Sequence, residues 1–187
     1  MRAAAAGRGA ALAAALLVGA CTSVPEGIEP VEPFALDRYL GTWYEIARLD
    51  HRFERGLARV SATYSLDEDG TVRVVNRGHD VEEGEWRESV GRARFVDGAD
   101  EGHLEVSFFG PFYGSYVVFG LDDGYTRSFV TGPDRDYLWF LSRDPEVPEA
   151  EYEGFVDRAR ALGFDVEELI RVRQDGPGTA PGPTEDG

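Results

Sequence analysis

From Thr42 to Ser142, apolar and polar residues alternate in short runs broken by Gly, Pro and Asp. Period-two alternation between closely spaced turn signals predicts the strands of a sandwich or barrel. Eight such runs follow one another, at 42–49, 58–66, 71–79, 85–95, 103–109, 115–121, 126–131 and 137–142. After them the period changes. Tyr152, Phe155, Val156, Ala159 and Leu162 recur at helical spacing between Pro148 and Gly163. Glu151, Glu153, Asp157, Arg158 and Arg160 fill the opposite face, so this helix is expected to lie outside the strands with one side wet. A short ninth strand is expected at 169–172.

The second and third strands test one another. Asp67-Glu68-Asp69-Gly70 suits a type I turn with Gly70 in the left-handed position, which pairs Asp67 with Thr71. That register sets Leu66 against Val72, Tyr64 against Val74 and Ala62 against Asn76 on one face. Ser65, Thr63 and Ser61 meet Arg73, Val75 and Arg77 on the other. One face is nearly apolar and the other nearly polar, so turn chemistry and hydrophobic pattern agree on a meander with a lined interior. Val60, Ala62, Tyr64, Val74 and Asn76 thus share an inward face, and a small Ala62 beside a polar Asn76 suggests space with a polar anchor as readily as ordinary packing. Val106, Phe108, Tyr116, Val118, Trp139 and Leu141 alternate likewise. Their neighbours Val117, Phe119, Leu138 and Phe140 are apolar too, as a surface that receives the helix must be. Phe108 to Tyr116 gathers aromatics and glycines, Tyr113 among them, into an expected loop. Such a loop suits a gate, a patch for a second copy, or a plain hydrophobic cluster.

The two ends read differently. Arg2 and Arg8 precede an apolar run, Ala10 to Val18, that is short for a bilayer core of about 30 Å. It reads as a signal peptide over 1–20. Val18-Gly19-Ala20-Cys21 resembles the bacterial lipobox, in which the cysteine is lipidated and becomes the new N-terminus. A plain cleaved signal and an uncleaved anchor are the alternatives. Thr22 after the cysteine implies, in that motif, sorting to the outer membrane. Pro25, Gly27, Pro30 and Pro33 give 21–33 the composition of a tether, and 175–187 that of a disordered tail. One barrel domain is expected over 34–174.

Charge and composition narrow the chemistry. The 187-residue chain carries 35 acidic against 19 basic residues, all of the latter Arg, for a net charge of −16. Its field repels phosphate backbones, which disfavours nucleic acid, and without Lys it has no amine for Schiff-base chemistry. Cys21 alone closes no internal disulfide and builds no thiolate cluster. His51, His79 and His103 lack metal-ligand spacing, and no nucleophile-elbow or phosphate-loop motif occurs, so no catalytic residue, metal or cofactor is assigned. Asp67 to Asp69 and Asp97 to Glu101 read as soluble turn tips. Arg52 and Arg55 stand in a loop where they suit a lipid phosphate or, more simply, a solvated face. Glu45 is the carboxylate that would serve as acid or base if it pointed into an apolar cavity, since desolvation would raise its pKa.

Several segments carry a resemblance. Gly41-Thr42-Trp43 opens the first strand within the run Asp37 to Arg48, Asp136-Tyr137 precedes the eighth, and Arg143 follows it. In that order and at those places they resemble the three motifs of the lipocalins. The segments 51–57, 107–114 and 132–139 are similar to the bacterial outer-membrane lipoprotein subgroup. The resemblance spans roughly 34–174. It implies an all-β fold, an eight-stranded antiparallel up-and-down barrel with one C-terminal α-helix packed outside. Its base would be closed by the Arg143 guanidinium stacked on Trp43. It further implies a lipid-anchored envelope protein, barrel facing the periplasm, that binds a fatty acid or lysophospholipid for storage or transport, with a homodimer possible. Many lipocalins pin the C-terminal segment with a disulfide that this chain lacks, so that segment is expected to be less firmly held. A lipocalin-like enzyme and a filled, structural barrel are the rival readings.

Overall fold

A computed structural model describes residues 22–175, so the expected signal peptide, Cys21 and all but the first residue of the expected tail lie outside the described residues. The chain enters through a short helix α1 (Leu36–Tyr39), then runs through β1 (Gly41–Arg48), β2 (Leu57–Leu66), β3 (Val72–Asp80) and β4 (Trp86–Phe95). It continues through β5 (His103–Phe109), β6 (Phe112–Leu121), β7 (Arg127–Thr131) and β8 (Leu138–Ser142) to helix α2 (Glu149–Ala161) and β9 (Ile170–Arg171). Consecutive strands pair antiparallel, and β1 pairs with both β2 and β8, so the eight-stranded sheet closes into a barrel with no free edge.

The β2–β3 hairpin has the expected register, from Leu66 opposite Val72 to Ser61 opposite Arg77. Its turn is the expected one as well. Asp67 N donates to Thr71 O at 2.8 Å, and Gly70 takes φ +82°. The β5–β6 connection differs from expectation. Phe109 pairs with Phe112, so β6 starts three residues before Ser115, and only Gly110 and Pro111 remain between the strands.

Apolar side chains bury in two places. Inside the barrel, Trp43, Tyr64, Val72, Val74, Leu104, Val118 and Val130 form one core. A second lies between the outer barrel wall and α2, where Phe155 stacks on Phe140 at 5.0 Å and Ala159 is fully buried. Val117, Phe119, Leu138 and Phe140 are the residues that receive the helix, which explains why both faces of these strands are apolar.

Alternation of strand direction puts the β1–β2, β3–β4, β5–β6 and β7–β8 loops at one end of the barrel and the remaining turns, with α1, at the other. The α1 end is closed. Arg143 stands 3.9 Å over the Trp43 ring, a contact worth about 0.5–2 kcal/mol, and donates to the carbonyls of Arg38, Tyr39, Leu40 and Thr42. Gly41 takes φ +95°, and a Cβ there would meet Arg143 Nη1 at 3.2 Å, so glycine satisfies both backbone and neighbour.

Two segments are held more tightly than their composition suggests. The stretch read as a tether lies on the barrel wall: Ile28 is buried, Val31 exchanges backbone bonds with Val118 and Gly102, and Phe34 is buried at the closed end. Its prolines remove donors without preventing Ile28, Val31 and Phe34 from finding apolar sites. At the other terminus β9 pairs with the upper half of β1, where β2 has splayed away. Val172 N donates to Ile46 O, Arg59 N to Arg173 O, and Gln174 Nε2 to Glu45 O and Val60 O at 2.6 and 2.9 Å. Hydrogen bonds across that seam pin the C-terminal segment where a disulfide is lacking.

Candidate ligand cavity

The barrel is not solid. A cavity of about 110 Å³ opens inside it, walled from Phe34, Leu36 and Tyr39 at the closed end to Phe53, Glu54, Asn76, Phe108 and Trp139 at the open one. Small side chains leave the room: Ala62 on β2 and Ala93 on β4 stand where larger residues would fill it.

The floor is polar but internally satisfied. Tyr116 Oη lies 2.8 Å from both Tyr39 Oη and Tyr64 Oη, and Tyr39 Oη also reaches Ser128 Oγ at 3.0 Å. Burial pushes the Tyr39 hydroxyl up to about 12 and those of Tyr64 and Tyr116 well above the usual tyrosine value. All three stay neutral at physiological pH and present ring carbons to the space above them.

Towards the mouth the wall carries a compact ionic group. Arg48 on β1 is buried and its Nη1 donates to Glu45 Oε1 at 2.6 Å, while Nη2 donates to the Glu54 and Leu57 carbonyls. These bonds fold the β1–β2 loop back over the barrel and drive the Glu54 carboxyl inward. Trp139 Nε1 donates to Glu54 Oε2 at 3.2 Å, and His51 Nε2 stands 3.1 Å from the same oxygen. Burial raises Glu45 well above the ordinary carboxyl range, the Glu54 charge beside it adds to the rise, and Arg48 only partly opposes it. For Glu54 burial also pushes upward, yet the contacts from His51, Trp139 and Arg48 outweigh it and hold the group low. Burial thus favours the protonated form of Glu45, whereas the contacts around Glu54 favour its charged form. The carboxamide of Asn76 differs in kind: its Oδ1 is buried and accepts no hydrogen bond, which leaves an acceptor facing the cavity region.

Of the residues expected to contact a ligand, Val60, Ala62, Tyr64, Val74, Asn76, Val106, Phe108, Tyr116 and Trp139 line this cavity together. Two do not. Tyr113 lies on a strand rather than a loop, and alternation turns its ring outward beneath the Arg94 guanidinium, 4.6 Å away. Val118 is fully buried within the core and takes no part in the cavity wall. Leu104, Ala93 and Val130 follow the same alternation and also line the cavity, as does Val72, which the β2–β3 register places on this face. Phe34 and Leu36 precede the first strand, and Phe53 and Glu54 sit in an irregular loop, so no periodicity announced them. Elsewhere, at the closed end, Asp97, Glu101 and His103 bring potential ligand atoms within 4.8 Å of one another, a proximity their sequence spacing did not suggest.

The lipocalin-like domain family matches residues 34–174. The outer membrane lipoprotein Blc of Vibrio cholerae is 51% identical over 160 residues, covering 85% of this chain and 94% of the relative. Its namesake in Escherichia coli is 51% identical over 169 residues, covering 89% and 96%. Among solved structures, the cockroach allergen Per a 4 superposes with a TM-score of 0.64 at 21% identity, over 82% of this chain and 96% of that one.

Proposed function

The chain belongs to the lipocalin-like family, and from that premise we propose that it is a carrier whose barrel shelters the acyl chain of a fatty acid or lysophospholipid. The observation that carries this reading is the void between Tyr39 and Trp139, apolar over most of its wall and open at one end. Water gains little there, whereas each methylene moved into it contributes about 0.8 kcal/mol. Its present volume approaches the roughly 150 Å³ of an engineered apolar cavity that takes up benzene. It therefore holds a short run of methylenes at the floor, and the rest of a long chain passes Phe108 and Phe53 towards the mouth. The unpartnered Asn76 Oδ1 is matched to a ligand hydroxyl, such as that of a lysophospholipid glycerol. A bare carboxylate in its place would add like charge beside Glu54.

We place the carrier in the outer membrane of a bacterial envelope, with Cys21 lipidated and the barrel in the periplasm, serving lipid storage or transport during envelope maintenance. The lipoprotein names of the relatives and the lipobox-like run before Cys21 support this placement. One observation favours an enzymatic alternative: Glu45, held well above the ordinary carboxyl range by burial, lies on the cavity wall as the acid such chemistry would use. Native mass spectrometry of the full chain, extracted gently from its membrane, separates the readings. A non-covalently bound lipid released intact, and unchanged on incubation with the protein, is the expected result. A lipid recovered chemically altered would replace the carrier by the enzyme, and a protein that neither arrives loaded nor takes up added lysophospholipid would leave a filled structural barrel.

A further inference from the structure

Resting on the lipid-anchored reading of Cys21, we propose that the barrel docks mouth-first on the phospholipid surface that anchors it, with the tips of its mouth loops inserted among the lipids. Two independent observations meet here. The first is where the chain emerges. Ser23 Oγ donates to Pro133 O at 3.2 Å, and Arg135 Nη2 donates to Glu26 O, both partners lying in the β7–β8 loop at the mouth. From there the segment descends the wall to Phe34 at the closed end and has no slack, since Ile28 is buried and Val31 is hydrogen-bonded on both sides. One residue, Thr22, separates Cys21 from Ser23, a reach of at most about 7 Å. An acyl anchor on Cys21 is thereby confined to the open end and cannot be paid out to let the barrel turn over.

The second observation is what the open end presents. Phe109 is 81% exposed, Phe112 78%, Val81 61% and Phe53 58%. They stand in or directly beside the three other mouth loops, so among the described residues four of the seven exposed large hydrophobics stand at this one end. Exposed apolar groups gathered on one surface mark a contact site, and Arg52 beside Phe53 is exposed where a lipid phosphate would sit. The anchor's position selects the occupant: the surface within reach of this rim is the bilayer that holds Cys21. A ligand would then pass between bilayer and cavity without its chain crossing water, because Phe53 belongs to both the rim and the cavity wall.

The experiment uses the full lipidated chain in vesicles of phosphatidylethanolamine and phosphatidylglycerol, with and without bromine on the acyl chains. Once Cys21 is acylated, a cysteine introduced by Phe112→Cys, or by Leu66→Cys at the opposite end, is the only free thiol and takes an environment-sensitive fluorophore at one place. The proposal expects brominated chains to quench the probe at 112 by at least half and to leave the probe at 66 unchanged. Equal quenching at both, none at either, or quenching at 66 alone overturns it. A probe at 112 that shifts to the blue without quenching shows a second copy of the chain covering the rim and overturns it as well. Intact mass distinguishes the deeper failure: a mature chain without acyl groups sinks the anchored reading itself, whereas an acylated chain with the wrong quenching pattern sinks the orientation alone.

Discussion

Glu45 sits in the middle of β1 with its carboxyl in a largely apolar wall, 2.6 Å from Arg48 and beside Glu54. The unfolded chain releases both protons above about pH 4.3, while in the folded protein burial holds the Glu45 carboxyl well above that value. In the window above that value the folded state binds more protons than the unfolded one, so this pair makes stability fall as pH rises, by on the order of 1 kcal/mol per pH unit at most. Glu54 works in the opposite sense at the acid end. Its folded value is depressed, so its contribution is present above about pH 4.3 and disappears as pH drops through that lower value. Glu45→Gln removes the first effect and keeps a hydrogen-bonding side chain of the same shape. Denaturant titrations between pH 5 and 8 should show the parent losing stability with pH and the variant holding nearly level. Parallel profiles would mean that the pair does not retain its proton. Asn76 and Glu54 also mark how far single residues are legible: Asn76 was visible as a polar break in an apolar face, whereas Glu54 is turned inward only by the bonds Arg48 makes to its loop.

The seam between β1 and β2 shows what elements do that residues alone do not. The lower half of β1 pairs with β2 through Gly41 to Tyr44, but at Ala47 its partner on that side is β9. Gln174 bridges the gap by donating to a carbonyl on each strand. Gln174→Ala removes two hydrogen bonds of roughly 0.5–1.5 kcal/mol each, so a loss of about 1–3 kcal/mol is expected. Hydrogen exchange should localise the loosening to Val60 and its neighbours on β2 and to β9. Protection lost evenly over the barrel would refute a local seam. The β2–β3 register was readable because a tight turn fixes it and the two faces differ in polarity. The β5–β6 hairpin was not, because Gly110, Pro111 and Gly114 carry loop composition even though the strands pair to within two residues of one another. The pairing puts Tyr113 on a strand facing the outer wall rather than in a loop.

At the scale of the molecule, the barrel and α2 divide the apolar side chains between two cores, and the second releases the first from having to be full. Phe155 and Ala159 stabilise the wall from outside, against Phe140 and Phe129, so the interior tolerates Ala62 and Ala93 where a lone barrel would need bulk. Strand number and inward faces could be read from alternation, but the void could not: it is the small remainder when the volumes of some twenty side chains are taken from that of the barrel. A ligand in that remainder meets residues of all eight barrel strands, so its binding energy should appear as stability of the whole barrel. At a free concentration one hundred times its dissociation constant, a lysophospholipid adds about 2.7 kcal/mol, which for a domain of this size raises Tm by about 5–10 °C. Ala62→Phe places a ring in the space the chain needs, and should abolish most of that rise while its own Tm reports whether the barrel has accepted the ring. A ligand-induced rise that survives in a folded Ala62→Phe protein would place the binding site elsewhere than in the cavity.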